Sequence, residues 1–239
     1  MTTTAETGFR SEITDGVLRL TFDRPKRMNA IDLPTMSAFA AAVRDGGADP
    51  AVRTIVITGS GRAFCTGADL AAAAVNPADP KVVMDAATSL IRAVTSAPVP
   101  VIAAVNGPAA GVGVSIALAA DLTYAASSAY FLLSFVNIGL MPDGGASALV
   151  PAAIGRARAA EMALLGERVS ADDAERFGLV SRTVSDEDFA THPVDRRSNV
   201  QGSPPCPRTH QKSAQCGYVG SPRRCVGARK YRAGRTSHR

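Results

Sequence analysis

A chain of 239 residues with 46% apolar side chains, mostly aliphatic and without Trp, can bury one sizeable core and carry an appendage. Its net charge of +5 is segregated: 11 of the 26 Lys and Arg follow residue 190, against the single acid Asp195, which leaves residues 1–190 with 15 bases and 20 acids. That acidic body argues against a nucleic-acid surface, and no basic, apolar leader or unbroken membrane-length run is present, so a soluble, cytoplasmic protein without membrane association is expected.

In chain order, residues 17–22 (VLRLTF) alternate as a half-buried strand does. Asp32 can cap a helix that Pro34 helps start, with Met36, Phe39, Ala40 and Val43 on one face and Gly46-Gly47 at its end. Residues 53–58 (RTIVIT) read as a strand. Residues 81–97 read as a helix with Val83, Ala87, Leu90, Ile91 and Val94 on one face, stopped by Pro98 and Pro100. The apolar run 101–105 (VIAAV) predicts a strand buried on both faces. A helix from about 111 to 119 and a strand at 122–126 follow. Beyond Asp143 the pattern turns helical; Ser170 caps a short helix that Gly178 ends, and 179–184 form a last strand. Short strands alternating with helices place the chain in the α/β class.

From residue 190 the pattern stops. Residues 190–239 are rich in Arg, Pro, Ser, Gly and Cys, and such a segment cannot bury enough apolar surface to offset its chain entropy, so disorder is predicted. The division is a core at 1–189 and a basic tail at 190–239. The spacing of Cys206, His210, Cys216 and Cys225 matches no compact zinc finger, and no metal site is expected. The abrupt change in composition is also what a shifted reading frame in a GC-rich gene produces.

Two segments can carry chemistry. Residues 59–70 (GSGRAFCTGADL) follow a strand with glycines that let backbone approach a ligand. Residues 105–121 (VNGPAAGVGVSIALAAD) join a buried strand to a helix whose first N–H groups lack internal partners and can receive an oxyanion. All three His lie in the tail, so neither Cys65 nor Ser115 has a base for nucleophilic catalysis. Asp121 reads as a turn residue, and Asp143 can cap the helix that follows it.

Together with FDRPKRMNAI (22–31), VITGSGRAFCTGADL (56–70), PVIAAVNGPAAGVG (100–113), ALAADLTYAA (117–126), IGLMPDGGAS (138–147) and SADDAERFGLVSRTV (170–184), these segments resemble the crotonase (enoyl-CoA hydratase/isomerase) superfamily in order and spacing. The resemblance implies a spiral of β-β-α turns that binds an acyl-CoA thioester as substrate and needs no further cofactor. It implies that the N–H groups of Ala68 and Val112 hold the thioester oxygen. It places CoA along Lys26, Arg27, Ala30, Asp69, Leu70 and Ala71, and the acyl group against Phe131, Phe135 and Leu140. It also implies a trimer or hexamer supported by C-terminal helices, which this chain's tail does not supply.

The carboxylate pattern narrows the reaction. The two positions that hold glutamates in the family's hydratases are Ser115 and Phe135 here, whereas Asp143 occupies the place of the acid in members that shift a double bond. An isomerase with Asp143 as acid/base is therefore expected, with an enoyl-CoA hydratase, or an impaired CoA-binding product, as the alternatives.

Overall fold

A computed structural model describes residues 8–191. β1 (Phe9–Thr14) and β2 (Val17–Phe22) form an antiparallel hairpin. There follow α1 (Leu33–Ala48), β3 (Thr54–Gly59), α2 (Leu70–Val75), α3 (Pro80–Ser96), β4 (Val101–Val105), β5 (Ala109–Ala110), α4 (Val112–Ala119), β6 (Leu122–Ala126), β7 (Tyr130–Leu132), α5 (Ala146–Leu165), β8 (Arg168–Ser170), α6 (Ala171–Phe177), β9 (Arg182–Val184) and α7 (Asp186–Thr191). Two sheets result. One has the order β1-β2-β3-β4-β6-β9, parallel from β2 onward; the other has the order β5-β7-β8.

The strongest local signals produce the elements they predict. The Asp32 carboxylate accepts from Thr35 N at 3.0 Å and starts α1. Ser170 Oγ accepts from Asp173 N at 3.1 Å and starts α6, which Gly178 closes at φ 82°. β4 is buried along its whole length between β3 and β6. The glycine pair in α1 behaves differently from expectation: the helix runs past it to Ala48. These glycines serve packing, since a Cβ at Gly46 would lie 2.0 Å from Leu18 Cδ2 and one at Gly47 2.9 Å from Pro98 Cδ. The last predicted strand shortens to Arg182–Val184, while Leu179 and Val180 are buried.

α1 and α3 cover one face of the large sheet, with Phe22 and Phe39 stacked at 4.4 Å between centroids and Phe9 edge-on to Phe39. α4 is nearly all buried, as a helix apolar on every side apart from Ser115 must be. α5 bends at Gly155, whose φ of 78° is not helical. Residues 190 and 191 belong to α7, and the remainder of the predicted tail, with its cysteines and histidines, lies outside the described residues. No helix among the described residues is long and apolar enough to cross a membrane.

β2, β3 and β4 are parallel neighbours, so their carboxyl ends share one edge of the sheet. The segments after them, 23–32, 60–69 and 106–111, must therefore meet there, where open parallel sheets bind ligands.

Candidate active site

Two buried or partly buried asparagines lock these three segments together. Asn29, fully buried at φ 56°, accepts from Arg24 N at 2.9 Å and donates to Ser60 O at 2.9 Å and Ala63 O at 2.7 Å. Asn106 accepts from Gly59 N at 3.0 Å and donates to Gly61 O at 3.0 Å and Ala63 O at 3.2 Å. Both amides thus grip the same carbonyl, fixing the turn after β3 from either side.

Beyond that turn the chain forms an isolated parallel bridge between Ile31 and Ala68. Ile31 N donates to Gly67 O at 2.9 Å and Asp69 N donates to Ile31 O at 2.9 Å. In a parallel bridge, a residue bonded on both sides leaves the N–H of its opposite number facing away. Ala68 N–H is that group. Val112 opens α4, where an N–H has no intrahelical partner. Among the described residues neither N–H has an acceptor.

A glycine precedes each of these amides and sets its direction. Gly67 stands at φ 99° and Gly111 at φ 53°, ψ −127°, regions that residues with a Cβ avoid. The two touch: a Cβ at Gly67 would lie 3.1 Å from Ala110 O and 3.6 Å from Gly111 Cα.

Ala68, Val112 and Asp143 line one cavity of about 110 Å³. Its walls are largely apolar, from Met36, Leu70, Val83, Met84, Phe135, Ile138 and Leu140. Asp143 is the one ionisable side chain in that wall among the described residues. The backbone carbonyl of Asp143 accepts from Ala146 N at 2.9 Å and from Ser115 Oγ at 3.3 Å. Its side chain does not cap α5, whose N-cap is Gly145, so the capping role weighed from the sequence is not the one adopted. Partial burial raises its pKa above the ordinary 3.8. Thr66 Oγ1, also in the wall, is engaged with Met28 O at 3.0 Å. Met36, Ala68 and Val83 are shared with a second cavity of about 530 Å³ that extends over Asp32, Asp69 and Asn76.

The remaining expected site residues divide. Phe135 and Leu140 join the cavity wall, but Phe131 does not: it is fully buried on the core side of β7, between the half-exposed Tyr130 and Leu132. Leu70 lines the cavity, while Ala71 is exposed beside it on α2. Asp69, placed beside CoA, lines the larger cavity, and its carboxylate is occupied within the protein. It accepts from Ala72 N at 3.0 Å, pairs with Arg24 at 2.8 Å and lies 3.6 Å from Arg27; its side chain is only 3% exposed, and a carboxylate so buried requires such partners. Ala30 gives its carbonyl to Arg24 at 2.8 Å. Lys26 and Arg27 are exposed on a 3-10 turn, Pro25–Arg27. Asp121 lies in the bend between α4 and β6, and its Oδ2 accepts from Val101 N at 2.8 Å, tying that bend to the start of β4. Cys65 is buried, and its thiol pKa is pushed up to about 12 by loss of solvent, so it stays neutral.

Sequence reasoning passed over Arg24, Asn29 and Asn106, although all three lie in the motifs quoted for the resemblance. Met36 and Met84 were read as core by their helical spacing or not singled out; their part in the cavity depends on the angle at which α1 and α3 cross the loops, which no local signal reports.

Comparisons with known proteins identify the family and the fold. The family model described as "Enoyl-CoA hydratase/isomerase" matches residues 12–215. A "Probable enoyl-CoA hydratase" of Rhodobacter capsulatus is 42% identical over 196 residues, covering 82% of this chain and 76% of that protein. The "1,2-epoxyphenylacetyl-CoA isomerase" of Escherichia coli is 38% identical over 185 residues, covering 75% and 71% respectively. Among solved structures, an enoyl-CoA hydratase from Mycobacterium avium subsp. paratuberculosis superposes with a TM-score of 0.81 at 39% identity, covering 90% of this chain and 87% of that one.

Proposed function

The chain belongs to the enoyl-CoA hydratase/isomerase (crotonase) family, and we propose that within it this protein shifts a double bond in an enoyl-CoA from the 3 to the 2 position, with Asp143 moving the proton. The observation that carries the reading is the solitary carboxylate: Asp143 is the one ionisable group described in a cavity that also holds two unengaged backbone N–H groups.

The steps follow from that inventory. The Asp143 carboxylate removes a proton from C2, and the electron pair passes to the thioester oxygen. The N–H groups of Ala68 and Val112 hold that oxygen as it becomes an enolate. The protonated Asp143 returns the same proton to C4, the C3–C4 double bond becomes C2–C3, and no water is consumed. Loss of one such donor typically costs about 3 kcal/mol of barrier lowering. The raised carboxyl pKa favours both halves of the transfer, because a stronger base accepts the proton and the acid formed remains able to return it.

The Lys26 and Arg27 cations suit the phosphates of CoA; Arg27 stands beside Asp69, which lines the larger cavity. A hydratase is the second reading, favoured by the name of the Rhodobacter relative. Hydration needs a group to activate water as well as one for the α-proton. Ser115 is committed to the Asp143 carbonyl and Phe135 is apolar, so Asp143 would have to serve both.

Incubation of the purified protein with a 3-enoyl-CoA and, separately, a 2-enoyl-CoA tests this. Double-bond migration lost in Asp143→Asn is the expected result. Hydration of the 2-enoyl-CoA without migration would replace this reading with the second.

A further inference from the structure

We infer that Arg24 is a positioning residue whose guanidinium keeps the Ala68 N–H aimed at the thioester oxygen by cross-linking the two backbone segments that meet at the Ile31–Ala68 bridge. The inference rests on the enolate chemistry proposed above for that amide.

The bridge alone is a weak anchor. It consists of the two hydrogen bonds made by Ile31, and it lies outside strands β1 to β9. Arg24 spans it from outside. Nη1 donates to the carbonyl of Ala30 at 2.8 Å, one residue before Ile31. Nη2 donates to the carboxylate of Asp69 at 2.8 Å, one residue after Ala68. The guanidinium fork therefore holds one segment with each prong, a geometry that an ammonium cannot reproduce.

Both ends of the fork are fixed. Arg24 is pinned at its own backbone, where N donates to Asn29 Oδ1 at 2.9 Å. Asp69 is pinned by Ala72 N at the start of α2 and is nearly inaccessible to solvent. The third contact, 3.3 Å to Asp32 Oδ2, ties the same guanidinium to the N-cap of α1. Removing the guanidinium leaves a buried carboxylate with Arg27 at 3.6 Å as its other cation. The segment carrying Ala68 is then free to shift. A displacement of an ångström weakens a hydrogen bond to a developing enolate far more than it weakens ground-state binding.

The test uses the full chain and a thioester that does not turn over. With [1-13C]butyryl-CoA bound, difference infrared spectroscopy on the wild type is expected to show the carbonyl band displaced to lower frequency than in free solution. In Arg24→Gln that displacement shrinks by at least about half and kcat for isomerisation falls about 10- to 100-fold, while affinity for CoA itself changes less than about threefold. Arg24→Lys lies between. If Arg24→Gln fails to fold by circular dichroism, Asp69→Asn carries the test, because it keeps an acceptor for Ala72 N and removes the charge pair; the same band shift is expected. A band at the wild-type position in the folded variants overturns the inference, as does a loss of CoA affinity with an unmoved band, which would make Arg24 a ligand contact. An undisplaced band in the wild type instead sinks the amide-pair reading on which it rests.

Discussion

The Ser115 hydroxyl donates to the backbone carbonyl of Asp143 across 3.3 Å and so ties the buried helix α4 to the turn before α5. α4 also carries Val112 at its start, so one helix bears an amide of the proposed enolate site and steadies the proposed base. Ser115 is fully buried, which makes its replacement a test of this link. Ser115→Ala is expected to cost about 1 kcal/mol in urea unfolding and less than about tenfold in kcat. Ser115→Glu should cost several times as much, roughly 3 kcal/mol or more, since it buries a charge without a partner, and it should produce no hydration.

Asp143→Asn separates catalysis from stability. General acid/base groups contribute about 10²- to 10⁴-fold, and a loss of that size is expected for isomerisation. Stability should move the other way. A carboxyl whose pKa is raised by folding contributes fully below its ordinary 3.8, and that contribution is lost as pH rises through the raised value. At neutral pH the ionised side chain therefore works against folding, and thermal unfolding should give Asp143→Asn an equal or higher Tm.

The same shift sets a pH dependence. The base must be ionised, so kcat/KM should fall on acidification along a limb lying above 3.8, higher than an ordinary aspartate would place it. A limb at or below 3.8 in a stopped-time assay across buffers would argue that another group limits the rate.

Gly111→Ala probes the direction of an amide without removing it. The methyl group would meet only ordinary van der Waals contacts, the nearest atom being Gly67 Cα at 3.7 Å, so backbone strain dominates. At φ 53°, ψ −127° that strain should cost about 1–3 kcal/mol in chemical denaturation. If the backbone relaxes by turning, Val112 N–H turns with it, and kcat should drop about 10²- to 10³-fold.

Asn29→Ala removes an anchor far from any proton transfer. Three hydrogen bonds disappear, and the carbonyls of Ser60 and Ala63 lose a donor. A destabilisation of roughly 2–4 kcal/mol by urea titration is expected.

The fold was legible where one local cause suffices. Asp32, Ser170 and Gly178 delimit helices in sequence as they do in the structure, because capping is decided by neighbours in the chain. β1 was missed although its signal was present: Asp15-Gly16, both at positive φ, form the two-residue hairpin turn that joins it to β2. β5, β7 and β8 are two or three residues long and exist only through partners distant in sequence. At the site, the two amides and Asp143 were reached through resemblance, and their common cavity is what the topology adds. The partner of Asp69 was not legible, because a carboxylate in a ligand-like motif reads the same whether it faces solvent or a guanidinium 45 residues away. Phe131 was misjudged because the side of a three-residue strand depends on its pairing register.

The two proposed donors are main-chain groups, and this redistributes where the reaction centre is fragile. Side-chain exchange at Ala68 or Val112 leaves an N–H in place for every amino acid except proline. Sensitivity to substitution passes instead to residues that hold the peptide planes: Gly67 and Gly111 by torsion, and Asn29 and Asn106 by their shared hold on Ala63. A mutational scan of this protein should accordingly find its least tolerant positions one step removed from the atoms that meet the substrate, with Asp143 the exception.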